Sequence, residues 1–197
     1  MPKIVDREEM QLGILNAAQR VYLEKGYHSA TIADVAHAAG VAKGTIYLYY
    51  KNKEALALSM MHTHFDGMQD RFFGGKKPAT LDAFAKSLTK TMTVPDDDAR
   101  YIRLFFEVFG EKFTSDTFME EFGGFFDRLG GHYADHITYL QAIGEIRQDA
   151  DPRNLGRLLA AMVDGIILHR GFFSIPERKH AKLRIELAAM FVRGLAA

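Results

Sequence analysis

Apolar residues at helical spacing recur along almost the whole chain, and this pattern limits the fold more than any other feature. Near the carboxyl end they follow intervals of three and four residues, at Leu155, Leu158, Leu159, Met162, Val163, Ile166 and Ile167. Such a stripe marks the buried face of an amphipathic helix. Because the alternating pattern typical of strands is scarce, the sequence predicts an all-α protein.

Residues that cap or end helices divide this pattern into segments. Thr31 and Asn52 can cap helices, Gly40 can form a turn, and Asp151 before Pro152 is a typical helix start. The predicted helices cover residues 7–25, 32–39, 42–49, 53–73, 80–93, 97–110, 116–143, 152–172 and 177–195. The seventh contains Gly123, Gly124, Gly130 and Gly131. Since each glycine costs about 1 kcal/mol relative to alanine in a helix, we expect a bend or break there.

Composition and charge narrow the class of protein. The 25 basic and 25 acidic side chains give zero formal net charge, which excludes a chain that is basic all over and coats nucleic acid without specificity. A local basic patch remains compatible with that balance. The absence of cysteine excludes disulfides and cysteine-bound zinc. Neither a signal peptide nor a run of about 18 apolar residues is visible, so we expect a soluble cytoplasmic protein.

Residues 32–49 form a helix, a glycine-centred turn and a second helix, which is the pattern of a helix-turn-helix. The second helix would present Lys43, Thr45, Tyr47 and Tyr49 to the major groove. With Lys51 and Lys53, Lys43 brings three positive charges and no acid between residues 40 and 53. Taken singly, the tyrosines could instead pack against the first helix, and the lysines could be ordinary solvated side chains.

The string from Gly44 to Leu56, GTIYLYYKNKEAL, resembles the recognition helix and following helix start of the TetR family of transcription regulators. The upstream stretch is similar too, with Gly26-Tyr27, Thr31-Ile32, Ala36 and Ala39-Gly40-Val41. The resemblance covers about residues 10–57. Tyr50 departs from it, since the family usually has phenylalanine there.

The resemblance implies an N-terminal three-helix DNA-binding domain over residues 1–53 and an antiparallel helical effector-binding and dimerisation domain over residues 54–197. It implies that the DNA-facing residues are Thr31, Lys43, Gly44, Thr45, Tyr47, Tyr49 and Lys53, with Gly44 allowing close approach of the backbone. A homodimer would then bind a palindromic DNA operator, with repression as the family's usual mode.

Aromatic residues crowd the second domain, where eight of the 15 phenylalanines lie between Tyr101 and Tyr133. Any single ring could be ordinary core, but these helices occupy the region in which the family holds its effector. We predict a pocket for a small hydrophobic or aromatic effector and no other cofactor. Its predicted residues are His62, Phe65, Arg103, Phe106, Phe109, Phe122, Phe126, Met162 and Ile166.

The last two predicted helices carry apolar stripes that must be buried against their own chain or a partner. The resemblance implies that they form a four-helix interface between two subunits. The residues predicted to lie in this dimer interface are Leu158, Leu159, Met162, Ile166, Leu187, Met190 and Phe191.

The residues allow three other functions to be considered. His132 and His136 lie four apart on one helix, which allows a metal-responsive regulator of the same fold, although two ligands do not complete a typical site. An enzyme is disfavoured because no nucleophile elbow, phosphate-binding glycine loop, zinc-protease motif or cysteine nucleophile is present. A helical ligand-binding protein without DNA function is the remaining alternative.

Overall fold

The computed structural model describes residues 7–74 and 77–196, except for the side chains of residues 65, 68–71, 97 and 121. These residues form α-helices, which confirms the predicted fold class. The helices are α1 (Arg7–Lys25), α2 (Ile32–Ala39), α3 (Lys43–Tyr49), α4 (Lys53–Phe73), α5 (Leu81–Thr91), α6 (Asp96–Phe109), α7 (Asp116–Ala142), α8 (Pro152–Phe172) and α9 (Glu177–Leu195), with a 3₁₀ turn at Gly110–Thr114. Within the described ranges, no helix combines the length and the apolar character needed to cross a membrane.

The predicted helix ends agree with the structure to within two residues. The predicted break of the seventh helix is wrong, because α7 continues as one helix past all four glycines. Tertiary packing explains part of this result. A Cβ added to Gly156 of α8 would lie 2.2 Å from the carbonyl oxygen of Gly130 and 3.0 Å from the Cβ of Ala134. The two backbones therefore meet closely at small residues, and that packing offsets the low helix propensity of glycine.

The chain divides into two compact units. The first comprises Met1–Met68 with Arg103–Glu111, and the second comprises Gln69–Ile102 with Lys112–Ala197. Helices α4 and α6 each contribute residues to both units. The functional boundary predicted after residue 53 remains a prediction.

The core of the first unit is small and apolar. The buried side chains of α1 are Ile14, Leu15, Ala17, Ala18, Val21 and Tyr22. Val35 and Ala36 of α2, Ile46 of α3 and Leu56 of α4 are buried as well. These contacts fix α2 on α1 and α3 on α2, and they leave the remaining faces of both short helices to solvent.

The second unit has a larger core built from α5, α7, α8 and α9. Phe84, Leu129, Ile137 and Leu140 are fully or almost fully buried in it, and Val163 of α8 is 1% exposed. The core also contains polar side chains, namely the guanidinium groups of Arg170 and Arg184 and the imidazole of His180. Buried charges require partners, and these are described below.

Candidate nucleic-acid interface

Local sequence shapes the helix-turn-helix of the first unit. Thr31 caps α2 in a capping box, in which its hydroxyl accepts from the amide of Asp34 and the Asp34 carboxylate accepts from the amide of Thr31. Gly40 ends α2 with φ of 67°, a left-handed conformation that favours glycine. The side chain of Asn52 then caps α4 by accepting from the amide of Ala55 at 2.7 Å. The sequence pattern alone predicted this arrangement.

One face of α3 is left unused by the fold of its own unit. Ile46 is fully buried and anchors the helix, whereas Lys43, Gly44, Tyr47 and Leu48 are exposed. The Lys43 ammonium lies 6.0 Å from the centre of the Tyr47 ring. The exposed face therefore combines the ammonium group of Lys43, the phenol of Tyr47 and the apolar side chain of Leu48. These groups can contact DNA phosphates and the edges of bases.

Thr45 and Tyr49 are only half-buried and lie at the border of this face. The guanidinium of Arg7 lies 6.0 Å from the Tyr49 ring, and the Tyr49 and Tyr50 rings are 6.5 Å apart. Tyr49 therefore has partners within its own unit, while Tyr47 is 47% exposed. The sequence pattern gave no means of separating these two tyrosines.

Two predicted DNA-facing residues make internal contacts. The Thr31 hydroxyl donates to the Asp34 carboxylate at 2.7 Å, and Lys25 pairs with the same carboxylate at 2.5 Å. These hydrogen bonds hold the pKa of Asp34 far below its usual value. The Lys53 ammonium donates to the carbonyl oxygen of His28 at 3.2 Å.

Lys53 also lies 4.5 Å from the centre of the Tyr27 ring, and partial burial lowers its pKa. On the other side of the same loop, the amide of Tyr27 donates to the Glu107 carboxylate at 2.8 Å. The segment that leads into α2 is thus held by residues from α4 and α6. The contact of Glu107 with this loop could not be predicted from the sequence, because no local signal connects residues 80 positions apart.

The residues predicted for the effector pocket fall in both units. In the first unit, His62 and Arg103 are exposed, Phe106 is half-buried and Phe109 is buried. In the second unit, the half-buried residues are Phe122, Phe126, Met162 and Ile166. The side chain of Phe65 lies outside the described residues.

The second unit contains a very small cavity and a larger open groove. A cavity of about 10 Å³ is lined by apolar side chains, including Leu88, Met92, Met162 and Phe191. It is far smaller than ligand pockets, which span about 300–1,000 Å³. An open groove of about 520 Å³ runs between α5 and α9, with Lys86, Thr89 and Ile185 among its lining residues.

A cluster of polar and aromatic side chains is buried in the second unit without complete hydrogen bonding. The Tyr133 hydroxyl and the His136 Nδ1 atom are buried and lack a hydrogen-bond partner. The ring of Phe84 lies 6.3 Å from Tyr133 and 5.6 Å from His136. Burial raises the pKa of the nearby Asp164 to about 7. Unsatisfied buried groups are costly, so they mark a place where a ligand or water gains hydrogen bonds.

The histidine pair belongs to this cluster. The His132 and His136 rings are 4.4 Å apart, and burial lowers the pKa of both, that of His136 to about 4. Both imidazoles are therefore neutral near pH 7. Among the described residues, however, no third histidine, cysteine, aspartate or glutamate joins them in a group that could hold a metal ion. Nothing found here supports the metal-responsive alternative.

A second buried cluster joins α8 to α9 through ion pairs and hydrogen bonds, although the Nε atoms of Arg170 and Arg184 lack a hydrogen-bond partner. The His180 Nε2 atom donates to the Ile166 carbonyl oxygen at 3.0 Å, so its Nδ1 atom accepts from Arg184 at 2.9 Å. Arg184 also donates to Glu177 at 3.0 Å. Arg170 pairs with Asp96 of α6. These ion pairs compensate the buried charges and hold the ends of three helices together.

The residues predicted for a dimer interface differ in exposure. Leu158 and Met190 are 58% and 59% exposed, and Met162, Ile166, Leu187 and Phe191 are half-buried. Leu159 is only 3% exposed and packs within its own chain, which leaves it no surface for a partner. Sequence analysis missed other exposed apolar residues of α8, of α9 and of the turn between them, namely Phe172, Phe173 and Ile185.

The fold and the exposed face of α3 define a helix-turn-helix regulator, and comparison with known proteins gives its family. Residues 14–60 match the model of the TetR family of bacterial regulatory proteins, and residues 81–196 match that of the C-terminal part of BetI-type transcriptional repressors. The chain therefore belongs to the TetR family. It is a DNA-binding transcription regulator and not an enzyme.

Individual relatives are more distant. The HTH-type transcriptional regulator PksA of Bacillus subtilis is 26% identical over 175 residues, which is 86% of this chain and 82% of PksA. The fatty acid metabolism regulator protein of the same species is 51% identical over 47 residues, which is 24% of each chain. That match spans about a quarter of the relative's length.

Two solved structures have the same fold. A TetR transcription regulator from Haloarcula marismortui superposes with a TM-score of 0.79 at 16% identity, covering 96% of this chain and all of its own. A transcriptional regulator from Saccharomonospora viridis in complex with choline superposes with a TM-score of 0.75 at 19% identity, covering 97% and 100%. At such identities the likeness concerns the fold alone.

Proposed function

We propose that this protein is a homodimeric one-component repressor that binds a palindromic operator and is released by a small effector. The observation that carries the proposal is the exposed face of α3, where Lys43, Gly44 and Tyr47 lie on a helix fixed by buried Ile46. These groups have no use within their own unit. They match the contacts that a helix makes in the major groove.

The proposed dimer follows from the requirement for two half-sites. Two copies of α3 related by a two-fold axis would bind successive major grooves about 34–36 Å apart. Exposed apolar residues on α8 and α9, such as Leu158 and Met190, support an interface there. In the proposed interface Met162, Ile166, Leu187 and Phe191 complete the surface. Such a regulator works in the cytoplasm, where its operator lies.

The proposed DNA contacts differ in character. Lys43 and Tyr47 contact phosphates and base edges, and Gly44 allows the helix backbone to approach the DNA. Thr45 and Tyr49 contact DNA from the border of the face. Thr31 and Lys53 act mainly by holding the recognition element, since their polar atoms have partners in their own unit.

Operator selection from random DNA tests this proposal, followed by fluorescence anisotropy on the selected sequence. We expect Tyr47→Ala and Lys43→Ala to abolish operator binding while fold and dimer remain intact. If Lys43→Ala retains measurable binding, the loss of one phosphate contact in each subunit lowers the slope of log K against log salt by about two.

Lys90→Ala is the matched control, because Lys90 is an exposed lysine of α5 in the second unit. Its affinity should equal that of the wild type. Wild-type affinity in both Tyr47→Ala and Lys43→Ala would rule out the proposed interface.

The proposed effector is hydrophobic or aromatic and binds within the second domain, where Phe122, Phe126, Met162 and Ile166 supply apolar surface. It must bind the form that cannot hold DNA more tightly than the form that can, because otherwise it shifts no equilibrium. Titrating the operator complex with a hydrophobic ligand library should identify compounds that release DNA. If no ligand releases DNA at saturation, the effector mechanism fails while the operator proposal stands.

A small organic cation is the second candidate effector. Asp164 is a largely buried carboxylate near Tyr133, and Phe84 adds an aromatic face. Carboxylates and aromatic faces together favour ammonium groups. The choline complex of the Saccharomonospora viridis regulator, which has the same fold, is consistent with this chemistry.

Choline chloride and its uncharged analogue 3,3-dimethylbutan-1-ol separate the two effector classes. A cation that pairs with ionised Asp164 binds more tightly at pH 8 than at pH 6, since burial raises the pKa of Asp164 to about 7. Asp164→Asn should remove both the binding and its pH dependence. Equal binding of the two compounds, unaffected by Asp164→Asn, would favour the hydrophobic effector.

A further inference from the structure

Leu48 has the most exposed side chain among the large apolar residues that the structure describes. It lies on α3 and is 78% exposed, compared with 47% for the adjacent Tyr47 and 51% for Leu12 of α1. The buried side of α3 is occupied by Ile46, so the core of the first unit makes no use of Leu48. A single exposed leucine is ordinary by itself, and its meaning comes from its position.

Gly44 is the second observation at this position. It precedes Leu48 by four residues, which places both on the same side of the helix. A Cβ added to Gly44 would meet no atom within 4 Å, and Gly44 has no positive φ. Neither packing nor backbone conformation therefore requires glycine there. Since glycine weakens a helix relative to alanine, its presence is explained by close approach of something outside the chain.

Together, Gly44 and Leu48 form a low apolar strip on a face that otherwise carries the polar groups of Lys43 and Tyr47. In the proposed operator complex, the strip would face the floor of the major groove. The 5-methyl group of thymine is the apolar group that base pairs present in that groove. Leucine has no hydrogen-bonding atom in its side chain, so this methyl group is the base feature that it can distinguish.

We propose that Leu48 contacts the 5-methyl group of one thymine in each half-site, and that Gly44 allows α3 to lie deep enough for this contact. The inference rests on the proposed operator binding and adds the base that one residue recognises. Lys43 and Tyr47 supply affinity through polar contacts, while Leu48 supplies discrimination at one position.

Replacement of thymine by deoxyuridine tests the contact directly, because it removes the methyl group and leaves the hydrogen-bonding pattern unchanged. The probe is the operator selected with the full chain, in which each symmetric thymine pair is replaced in turn. Binding of the wild type, Leu48→Ala and Leu12→Ala is measured by anisotropy at one salt concentration. Leu12→Ala is the matched control, since it also removes an exposed leucine of the first unit.

We expect one thymine pair whose replacement weakens wild-type binding by about fourfold for each half-site, the effect of burying one methyl-sized group. Leu48→Ala should bind the thymine operator more weakly and show no further loss at that pair. Leu12→Ala should behave like the wild type on both operators. Unchanged circular dichroism and unfolding temperature would show that Leu48→Ala is folded.

Two outcomes would overturn the inference while the proposed function stands. In the first, the wild type binds every deoxyuridine operator as tightly as the thymine operator. In the second, the losses from Leu48→Ala and from deoxyuridine multiply at every position, which excludes a direct contact. If selection yields no preferred DNA sequence at all, the proposed function itself is wrong, and the inference fails with it.

Discussion

The two compact units differ in how the groups that their own folding does not use are grouped together. In the first unit Lys43, Tyr47 and Leu48 form one exposed face of α3, although the buried Tyr22 and Tyr50 hydroxyls also lack a hydrogen-bond partner. In the second unit the unpartnered Tyr133 hydroxyl and His136 Nδ1 atom lie in one buried cluster near Asp164. An exposed unused face suits a large partner such as DNA, whereas buried unused atoms suit a small molecule.

Two glycines illustrate the same contrast. Gly156 in the second unit is required by internal packing, because a side chain there would overlap the backbone of α7. Gly44 in the first unit meets no such constraint. Gly156 therefore serves the fold, whereas the role proposed for Gly44 is toward DNA, and substitution can separate these roles.

The largest expected effect is that of Gly156→Ala. Its Cβ would lie 2.2 Å from the Gly130 carbonyl oxygen, so α7 and α8 must move apart. We expect the free energy of unfolding to fall by about 3 kcal/mol, the upper part of the range for overpacking. Urea denaturation followed by circular dichroism measures this loss. Gly131→Ala is the control, since a Cβ at Gly131 meets no atom within 4 Å. Equal stability of both variants would contradict the packing described for Gly156.

The next largest effect concerns Asp164 and pH. Burial raises the pKa of Asp164 from 3.8 to about 7, so the folded chain retains a proton that the unfolded chain releases above about pH 4. The associated stabilisation is complete below pH 4 and is lost as the pH rises through 7. Asp164→Asn should therefore be more stable than the wild type at pH 8, by roughly 2 kcal/mol after allowance for solvent screening.

At pH 4 the Asp164→Asn variant and the wild type should have nearly the same stability. Chemical denaturation at both pH values measures the difference, and Asp135→Asn is the control because its side chain is exposed. A stability difference that is constant between pH 4 and pH 8 would show that Asp164 is not the group responsible.

Gly44→Ala should have opposite effects on folding and on DNA binding. Stability should rise by up to about 1 kcal/mol, because alanine favours the helix and its Cβ finds open space. Operator affinity should fall by about tenfold, or 1.4 kcal/mol, because the added methyl group holds α3 away from the DNA. Thermal unfolding and anisotropy measure the two effects. Unchanged operator affinity in Gly44→Ala would show that Gly44 is not needed for close approach of α3 to the DNA.

The smallest expected effect is that of Glu107→Ala. The Glu107 carboxylate accepts from the Tyr27 amide at 2.8 Å, and its loss should lower stability by about 0.5–1 kcal/mol. Glu107→Gln should restore most of that stability, since its amide oxygen can accept the same hydrogen bond. Glu24→Ala, an exposed glutamate of α1, is the control. Equal free energies of unfolding for Glu107→Ala and Glu107→Gln would show that this hydrogen bond does not contribute measurably to stability.

Much of the first unit could be predicted because its signals are local. Thr31, Gly40 and Asn52 act within a few residues of their own positions, so the capping and turn pattern sets the ends of α2, α3 and α4. The sequence pattern did not predict the internal contacts of Lys53, which was assigned to the DNA-facing residues. Its ammonium contacts the His28 carbonyl oxygen and the Tyr27 ring, and both contacts depend on how the loop folds back.

Less of the second unit could be predicted, because its decisive contacts join distant parts of the chain. The continuity of α7 through its glycines depends on Gly156, which is 26 residues beyond Gly130. The Arg170–Asp96 pair and the cluster around Tyr133 arise in the same way. The spacing of the phenylalanines indicated an apolar region, but it could not show which rings are buried in the core and which are half-buried.

The sequence by itself determined the helical class, the helix ends to within two residues and the helix-turn-helix with Lys43 and Tyr47 on its exposed face. These features depend on spacing and capping, which act over a few residues. Only the tertiary structure decided that Leu48 and Gly44 lie unused on one face, that Leu159 is buried, and that Tyr133 and His136 lack partners. Burial and hydrogen bonding depend on which distant residues come together, and that information is not contained in local spacing.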